Sequence, residues 1–547
     1  MKVLKTWVIL ASCVAVLAAC ATPQAMPATP QVVEKVVTQV VEKQVVQTQV
    51  VQQTVEVIST QVVTPTPVPF EKRDQLVLVH SGNPGALADH PWTAMVEEYN
   101  RTHPDVYVEL NLVSGDYWTL FGTWLAAGNL PDVMAGTAAG MMGYPATQLN
   151  LVDVRPLLDD ETRKDLGTAL DGVTLPDGRV MGFPLLRNWG DWVCVNNKDL
   201  QAAGVSWQDI YAKDGWTWQE WQTAASKMTT DANGKHPGDS GFDEKNVKTW
   251  AFGVWRDYTP AILFNMTLNA GVPDGNSAAI QPMWGNSLNW TGPKVLEALR
   301  WWQDWHTKYK IATPATLSIG SDAEVYNMIV RGELASTWDF PYWCRTAVRD
   351  YNQQIEEGNI AGNKVDTDLV ILPVPHEPNS KGANLERSSV LSVFRQTPDK
   401  GEAHTQHALE LAKWLMTTER QAAYANWANG IPARTSAQGM VAFLQKDENY
   451  QAHVKYALAH AAPTFPYGHP VSSKWQTEAM VPALEALAKG STTPEQAMQQ
   501  MTEAGDRMLA DWVKTADADT VKQWSQPPSW WPGPNFPDWK IRLPHTK

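Results

Sequence analysis

Along this chain the apolar positions keep two rhythms, and they are clearest between Gln75 and Gly136. Leu76 to Val79 are four apolar residues without alternation, followed at once by Gly82, Pro84 and Gly85. Such a run predicts a strand buried on both faces that ends in a loop. Trp92, Met95, Val96 and Tyr99 then recur at spacings of three and four, predicting a helix that stops near His103-Pro104. A second strand is expected over Val106 to Val113 and a second helix over Tyr117 to Ala127, with Gly128 where a left-handed cap is needed. Leu130 to Met134 lead into a third strand. Strand, helix, strand, helix, strand implies parallel pairing and a doubly wound α/β fold. Ligand loops then lie at the carboxyl ends of the strands, here Ser81 to Gly85, Ser114 to Trp118 and Gly136 to Gly143.

The first seventy residues follow different patterns. Residues 1–19 read as a signal peptide: Lys2 and Lys5 precede an apolar stretch from Trp7 to Leu17 that is too short for a stable transmembrane helix. It ends in Leu17-Ala18-Ala19-Cys20, which resembles the bacterial lipobox, so Cys20 is the expected lipidation site and membrane anchor. An ordinary secretory signal with a chance Cys is the alternative. Residues 20–70 continue as a low-complexity stalk in which Val-Val pairs recur among Gln, Thr, Glu and Lys. The spacing of the pairs drifts between four and five, which fits neither a heptad nor a period of two. The stalk closes on Thr64-Pro65-Thr66-Pro67-Val68-Pro69, a stiff extended segment. A self-associating stalk is the sharper alternative, while the folded part is expected to be a monomer.

Past the opening unit, Pro176-Asp177-Gly178-Arg179 is a turn signal before Val180 to Pro184. Leu185 to Leu200 enter a new unit, with helices expected around Lys294 to Tyr309 and Ala323 to Arg331 and a strand at Val370 to Pro373. The final third is mainly helical and ends in a Pro/Trp-rich tail, Ser525 to Trp539.

Length and composition narrow the function. At 547 residues, two to three domains are expected. The formal charge is −14, and loss of Lys2 and Lys5 with the signal takes it to about −16, which disfavours nucleic-acid binding. The 27 Trp are far more than a core usually recruits. Trp presents a broad flat face and one N–H donor, so the surplus suggests flat apolar-faced ligands such as sugars, although most are expected in cores and interfaces. Catalytic signals are poor. Gly238-Asp239-Ser240-Gly241 is read as a turn rather than a serine nucleophile loop. His404, His407 and Glu410 lack metalloprotease spacing and are read as a solvated face. Neither a dinucleotide fingerprint nor a P-loop is present, and no cofactor or metal is expected.

Ten landmarks in order carry a resemblance that spans nearly all of residues 71–515. They are LVLVHSG, VEEYNRTHPDVYVEL, GDYW with LAAGNLPDVMAG, DGRVMGFPL with VNNKDL, GWTWQEW, TDANGK with WAFG, RGELASTWDF, ALELAKWLMTTERQ, GIPART and KGSTTPEQAMQQM. The chain resembles the extracellular solute-binding proteins of ABC importers, in the sugar-binding group that is similar to maltose-binding protein. The resemblance implies a type II periplasmic-binding-protein-like fold: two α/β lobes joined by a hinge of several crossings and closing on a ligand. Crossings map to Leu186–Gly190, Val374–Leu385 and Ala433–Ala437. Lobe one would be 71–187 and 385–433; lobe two would be 188–384 and 434–547, tail included. The implied partners are a carbohydrate ligand and the permease of an ABC transporter, with no enzyme activity.

Sugar recognition needs planar faces and bidentate polar groups. On the family pattern the expected ligand residues are Asn83 and Asp116 in the first lobe's exit loops, with Trp118. Arg187 and Trp189 stand at the first crossing and Arg387 at the second; Trp338, Asp339, Trp343 and Trp475 complete the set. A turn role competes for Asn83, a helix cap for Asp116 and core packing for the tryptophans. Cys194 and Cys344 remain after Cys13 and Cys20 are accounted for. Outside the cytoplasm and in one lobe, they are expected to pair, with two free thiols as the alternative. Two other functions stay open: a peptide or other polar-solute binder of the same fold, and a secreted carbohydrate-active enzyme using two carboxylates.

Overall fold

The computed structural model describes residues 69–524, apart from 82–86, 89, 114–116, 138–140, 142–149, 176–177, 190–191, 271–282, 285–286, 289, 291, 315–318, 340, 379–381, 383, 397 and 463–468. The signal segment, Cys20, the stalk to residue 68, Asn83, Asp116 and the Pro/Trp-rich tail lie outside the described residues.

The opening unit forms in the order its apolar rhythm predicts. Strand β1 (Asp74–Ser81) pairs in parallel with β2 (Val106–Val113) along its whole length, and on its other side with β3 (Val133–Thr137). The Pro91–Thr102 helix between β1 and β2 buries Trp92, Val96 and Tyr99 against the sheet. Its start is set by Pro91 in the first turn and by His90, whose ring accepts from the Trp92 N–H. The chain then reaches β4 (Phe183–Trp189), on the far side of the same sheet.

Only residues 190–191 separate β4 from the second sheet, which holds β5 (Trp192–Asn196), β6 (Thr230–Asp231), β7 (Val247–Phe252), β8 (Leu334–Asp339) and β9 (Leu369–Leu372). Their spatial order is β9–β5–β8–β7–β6, with β8 parallel to β7 and antiparallel to β5. The chain returns through β10 (Asn384–Val393), which inserts antiparallel between β3 and β4, and β11 (Ile431–Pro432) covers the outer edge of β4. A short β12 (Ala461–Ala462) joins the start of β10. The first sheet therefore reads β11–β4–β10–β3–β1–β2 with β12 beside β10.

The chain passes between the two sheets after β4 and again between β9 and β10. Arg434 Nη1 stands 3.0 Å from Asp165 Oδ2 and the Ser436 N–H donates to Asp165 Oδ1 at 2.8 Å, so both residues are tied to the Asp160–Leu166 helix. The second sheet is reached only by the Glu448–His460 helix. There the Asn449 side chain accepts from the Ile371 N–H and donates to its carbonyl, as a strand neighbour of β9 would.

Eight of the 27 tryptophans lie in the second lobe's core cluster. Trp218, Trp221, Trp305, Trp338 and Phe252 form one cluster, with Trp338 lying 5.7 Å from Trp218, 5.7 Å from Trp305 and 5.8 Å from Phe252 between ring centroids. The Trp218–Met228 helix delivers Trp218 and Trp221 from a complete capping box, Thr217 with Glu220. On the opposite face of the same sheet, Cys194 of β5 is joined to Cys344 by a disulfide with Cα atoms 5.7 Å apart. The bond closes a 150-residue separation. Replacing both, Cys194→Ser with Cys344→Ser, should lower unfolding free energy by about 2–5 kcal/mol in urea titrations. An unchanged midpoint would mean that the unfolded chain gains nothing from losing the link.

Candidate functional site: the strand exits at the inter-lobe crossing

Strand direction locates the cleft before any side chain does. In the first sheet β1, β2 and β3 run the same way and exit at Ser81, Val113 and Thr137. Antiparallel to both β3 and β4, β10 makes β4 parallel to β3, so Trp189 lies at the same exit end. The first residues of β10 lie there too, with Glu386 opposite Trp189 and Arg387 opposite Asn188. In the second sheet β7 and β8 exit at Phe252 and Asp339, and Asp339 pairs with Trp192, where β5 begins. Two residues thus connect the exit end of one sheet to the exit end of the other. Parallel α/β sheets concentrate ligand loops at such ends.

The second lobe brings three aromatic rings to this end. Trp255 and Tyr258, in the segment leaving β7, stack at 4.2 Å with planes 23° apart, and Trp255 lies 6.0 Å from Trp343. All three are half-buried, as a stacking surface requires. Trp343 stands in the first turn of the Pro341–Glu356 helix, and the next residue, Cys344, is tied to β5 by the disulfide. Trp255 and Tyr258 were not singled out from the sequence. The signal available was their place just past the apolar run Trp250-Ala251-Phe252-Gly253.

The first lobe contributes an aromatic rim. β11 runs antiparallel to β4, so the end of the Thr418–Ala428 helix just before it lies at the Trp189 end. Trp427 on that last turn is 38% exposed and packs 4.5 Å from His90. Beneath it, His80 Nε2 meets the Tyr424 hydroxyl at 2.6 Å, and Trp92 stacks on Tyr424. Burial lowers His80 to about 4; burial, with His80 close by, lowers His90 to about 3, so both rings are neutral at pH 7.

The remaining sequence expectations divide. Trp118 falls in the first turn of the Tyr117–Ala126 helix. Strand register brings Trp189, Asp339 and Arg387 to the exit ends, with Trp343 beside them. Three others are placed elsewhere. Trp338 and Trp475 are both 0% exposed, Trp338 inside the indole cluster and Trp475 donating its Nε1–H to the Met501 carbonyl, so neither offers a ring face to a ligand. Arg187 is buried at 6% exposure and donates to the Leu166 and Ala433 carbonyls, which makes it a tie within the first lobe.

Histidines 404 and 407 are also not a solvated face. The ring nitrogens of His404 stand 2.6 Å from Asp74 Oδ1 and 2.7 Å from Asp132 Oδ1, while His407 Nδ1 meets Asp74 Oδ2 at 2.8 Å. Burial would raise the Asp74 pKa, but hydrogen bonds from His407 and His404 outweigh it and hold the carboxyl below 3.8. This network fastens the Glu402–Leu415 helix to β1 and to the residue before β3; it lies at the entry end of β1, away from the cleft. Asp239 closes its own loop by accepting from the His236 N–H, as a turn residue does. Among the described residues no three His, Cys, Asp or Glu side chains converge as metal ligands, and no helix is long and apolar enough to cross a membrane.

Comparison with known proteins agrees with this geometry. Residues 94–457, about two thirds of the chain, match the family model described as bacterial extracellular solute-binding protein. An ABC-transporter solute-binding protein from Thermotoga lettingae, bound with α-D-tagatose, superposes with a TM-score of 0.61 at 19% identity, covering 80% of this chain and 100% of that one. The ABC substrate-binding protein of Listeria monocytogenes in complex with cycloalternan gives 0.59 at 17% identity over 80% and 99%. The maltose/maltodextrin-binding domain MalE of Bdellovibrio bacteriovorus bound to maltotriose gives 0.58 at 16% identity over 80% and 100%. At these identities the likeness is one of fold, a two-lobed periplasmic-binding-protein architecture. With two sheets exiting towards one crossing and a family model spanning most of both, the chain belongs to the bacterial extracellular solute-binding proteins.

Proposed function

We propose that this protein captures a sugar or oligosaccharide between its lobes and delivers it to the permease of an ABC importer, held to the membrane by a lipid on Cys20. Family membership makes it an extracytoplasmic binding protein rather than an enzyme. The observation that carries the sugar reading is the half-buried group of Trp255, Tyr258 and Trp343 at the strand exits. Flat indole and phenol faces suit the C–H side of a pyranose, while charged or strand-like ligands would need other partners. The three solved relatives named above hold carbohydrates, which supports the same class here. Asn83, Asp116 and Trp118 from the first lobe, with Trp189, Asp339 and Arg387 at the crossings, would supply the hydroxyl partners and the opposing wall. Ligand stabilises the closed arrangement of the lobes, and the permease reads that form.

A thermal-shift screen of mono- and oligosaccharides against short peptides tests the ligand class, with the bound sugar recovered intact. In the responding sugar, Trp343→Ala and Trp255→Ala should each weaken binding by roughly 30-fold or more, the loss typical of an aromatic anchor, at nearly unchanged melting temperature. A response to peptides alone would sink the sugar assignment, and turnover of the sugar would make the protein an enzyme.

A further inference from the structure

Trp427 is the one tryptophan among the described side chains that is more than a third exposed. Two independent constraints hold it at the exit end of the first sheet. It stands four residues before Ile431, which pairs with Arg187 of β4, and its ring lies 6.4 Å from that of His80, the next-to-last residue of β1. Its support is a fixed stack of rings. His90 lies 4.5 Å and Tyr424 5.9 Å from the Trp427 ring. Tyr424 is held by His80 and by Trp92, which stacks on it at 5.1 Å with planes 28° apart. The Trp92 N–H donates to His90 Nδ1 at 3.2 Å, which ties in the last ring. All four supporting rings are buried, and both histidines are uncharged at neutral pH, so the layer beneath Trp427 is apolar and stiff.

An indole left in water forgoes about 25 cal/mol for each Å² that burial would have removed. Holding that open ring on a rigid base removes the ordering cost that a ligand would otherwise meet. We propose that Trp427 is a stacking subsite of the first lobe, taking the C–H face of one pyranose unit of the ligand. Trp255, Tyr258 and Trp343 offer the second lobe's rings at the facing strand exits, so recognition is two-sided. A ligand held from both lobes has more contacts when they close, which is the differential affinity that closure requires. Exposed indoles also serve protein interfaces, but a place at the strand exits, with a second aromatic group at those of the other sheet, favours the sugar. The proposal rests on the sugar reading and adds a residue to it.

Calorimetric titration of the full chain tests the subsite, using the tightest binder from a panel of mono- and oligosaccharides that includes D-tagatose, maltose and maltotriose. Trp427→Ala should weaken that sugar by about tenfold or more, with little change in melting temperature. Trp427→Phe keeps a flat face and should stay within about threefold of the parent, whereas Trp427→Leu, apolar but not flat, should bind as weakly as Trp427→Ala. In protein carrying 5-fluorotryptophan, the fluorine resonance that disappears in Trp427→Phe should move when the sugar saturates. Trp343→Ala is run in parallel to separate the two readings. If it weakens the sugar and Trp427→Ala does not, the subsite is overturned and the sugar reading stands. An unmoved resonance, or equal binding by Trp427→Leu and Trp427→Phe, also overturns the subsite. If no sugar of the panel binds the parent chain, the sugar reading falls and the subsite falls with it.

Discussion

Between pH 7 and pH 5 the folded domain should lose several kcal/mol of stability, measured as a falling urea midpoint. Four buried histidines cause this. His80 and His306 are lowered by burial to about 4, His90 to about 3, and His453 well below its usual value by burial and by the Arg345 charge. An unfolded chain takes up a proton on each near pH 6.5, whereas the folded chain refuses it until much lower pH. The unfolded state therefore binds more protons across this window, and stability falls as pH drops. Each fully buried histidine contributes about 1.4 kcal/mol per pH unit, so His80 alone costs about 2 kcal/mol between 6.5 and 5. Two such groups remove about 4 kcal/mol, a large share of the roughly 5–15 kcal/mol of a typical domain. Asp74 acts in a different window: its depressed carboxyl stabilises above about 3.8 and is lost only as pH falls further. Replacing His453, which packs 3.8 Å from Trp192 with neither nitrogen bonded among the described residues, by Phe should flatten the pH slope by about one proton. Equal midpoints at pH 7 and pH 5 would show that these rings are hydrated and titrate normally.

Trp338→Ala should cost about 3–5 kcal/mol of unfolding free energy, among the largest losses of any single substitution in the second lobe. Its ring is fully buried between Trp218, Trp305 and Phe252, and truncation leaves a hole that three other rigid rings cannot close. The same ring is the one that its sequence position offers as a sugar stack, so the two roles separate experimentally. Trp338→Phe keeps most of the packing and should retain ligand affinity within about threefold. A large affinity loss in Trp338→Phe at unchanged stability would return Trp338 to the binding surface.

These two outcomes also mark where the sequence is legible. The β1-to-β3 unit could be read residue by residue because each element carries its own period and its own stop, such as Pro104 or Gly128. No local period marks the first crossing; only the family resemblance maps it, to Leu186–Gly190. Indoles were harder. Trp338, Trp343 and Trp475 look alike in sequence, and only the helices that fold over the second sheet decide which is roofed. Trp343 stays at the surface because it begins a helix at a strand exit, and Trp338 is roofed because it sits within β8. The His404 network had no local signal at all, since its carboxylate partners lie 330 and 272 residues away. The Arg434–Asp165 ion pair, which closes across 269 residues, is of the same kind.

The position of β10 dictates the order in which the molecule can be completed during synthesis. It lies between β3 and β4, yet its first residue is made 195 positions after Trp189, the last residue of β4. At roughly 5–20 residues per second, β3 and β4 wait about 10–40 seconds with facing edges unpaired while the whole second sheet emerges. Open strand edges are templates for mispairing. The chain is therefore suited to being kept unfolded until its length is complete, so that β10 is present when β3 and β4 first meet.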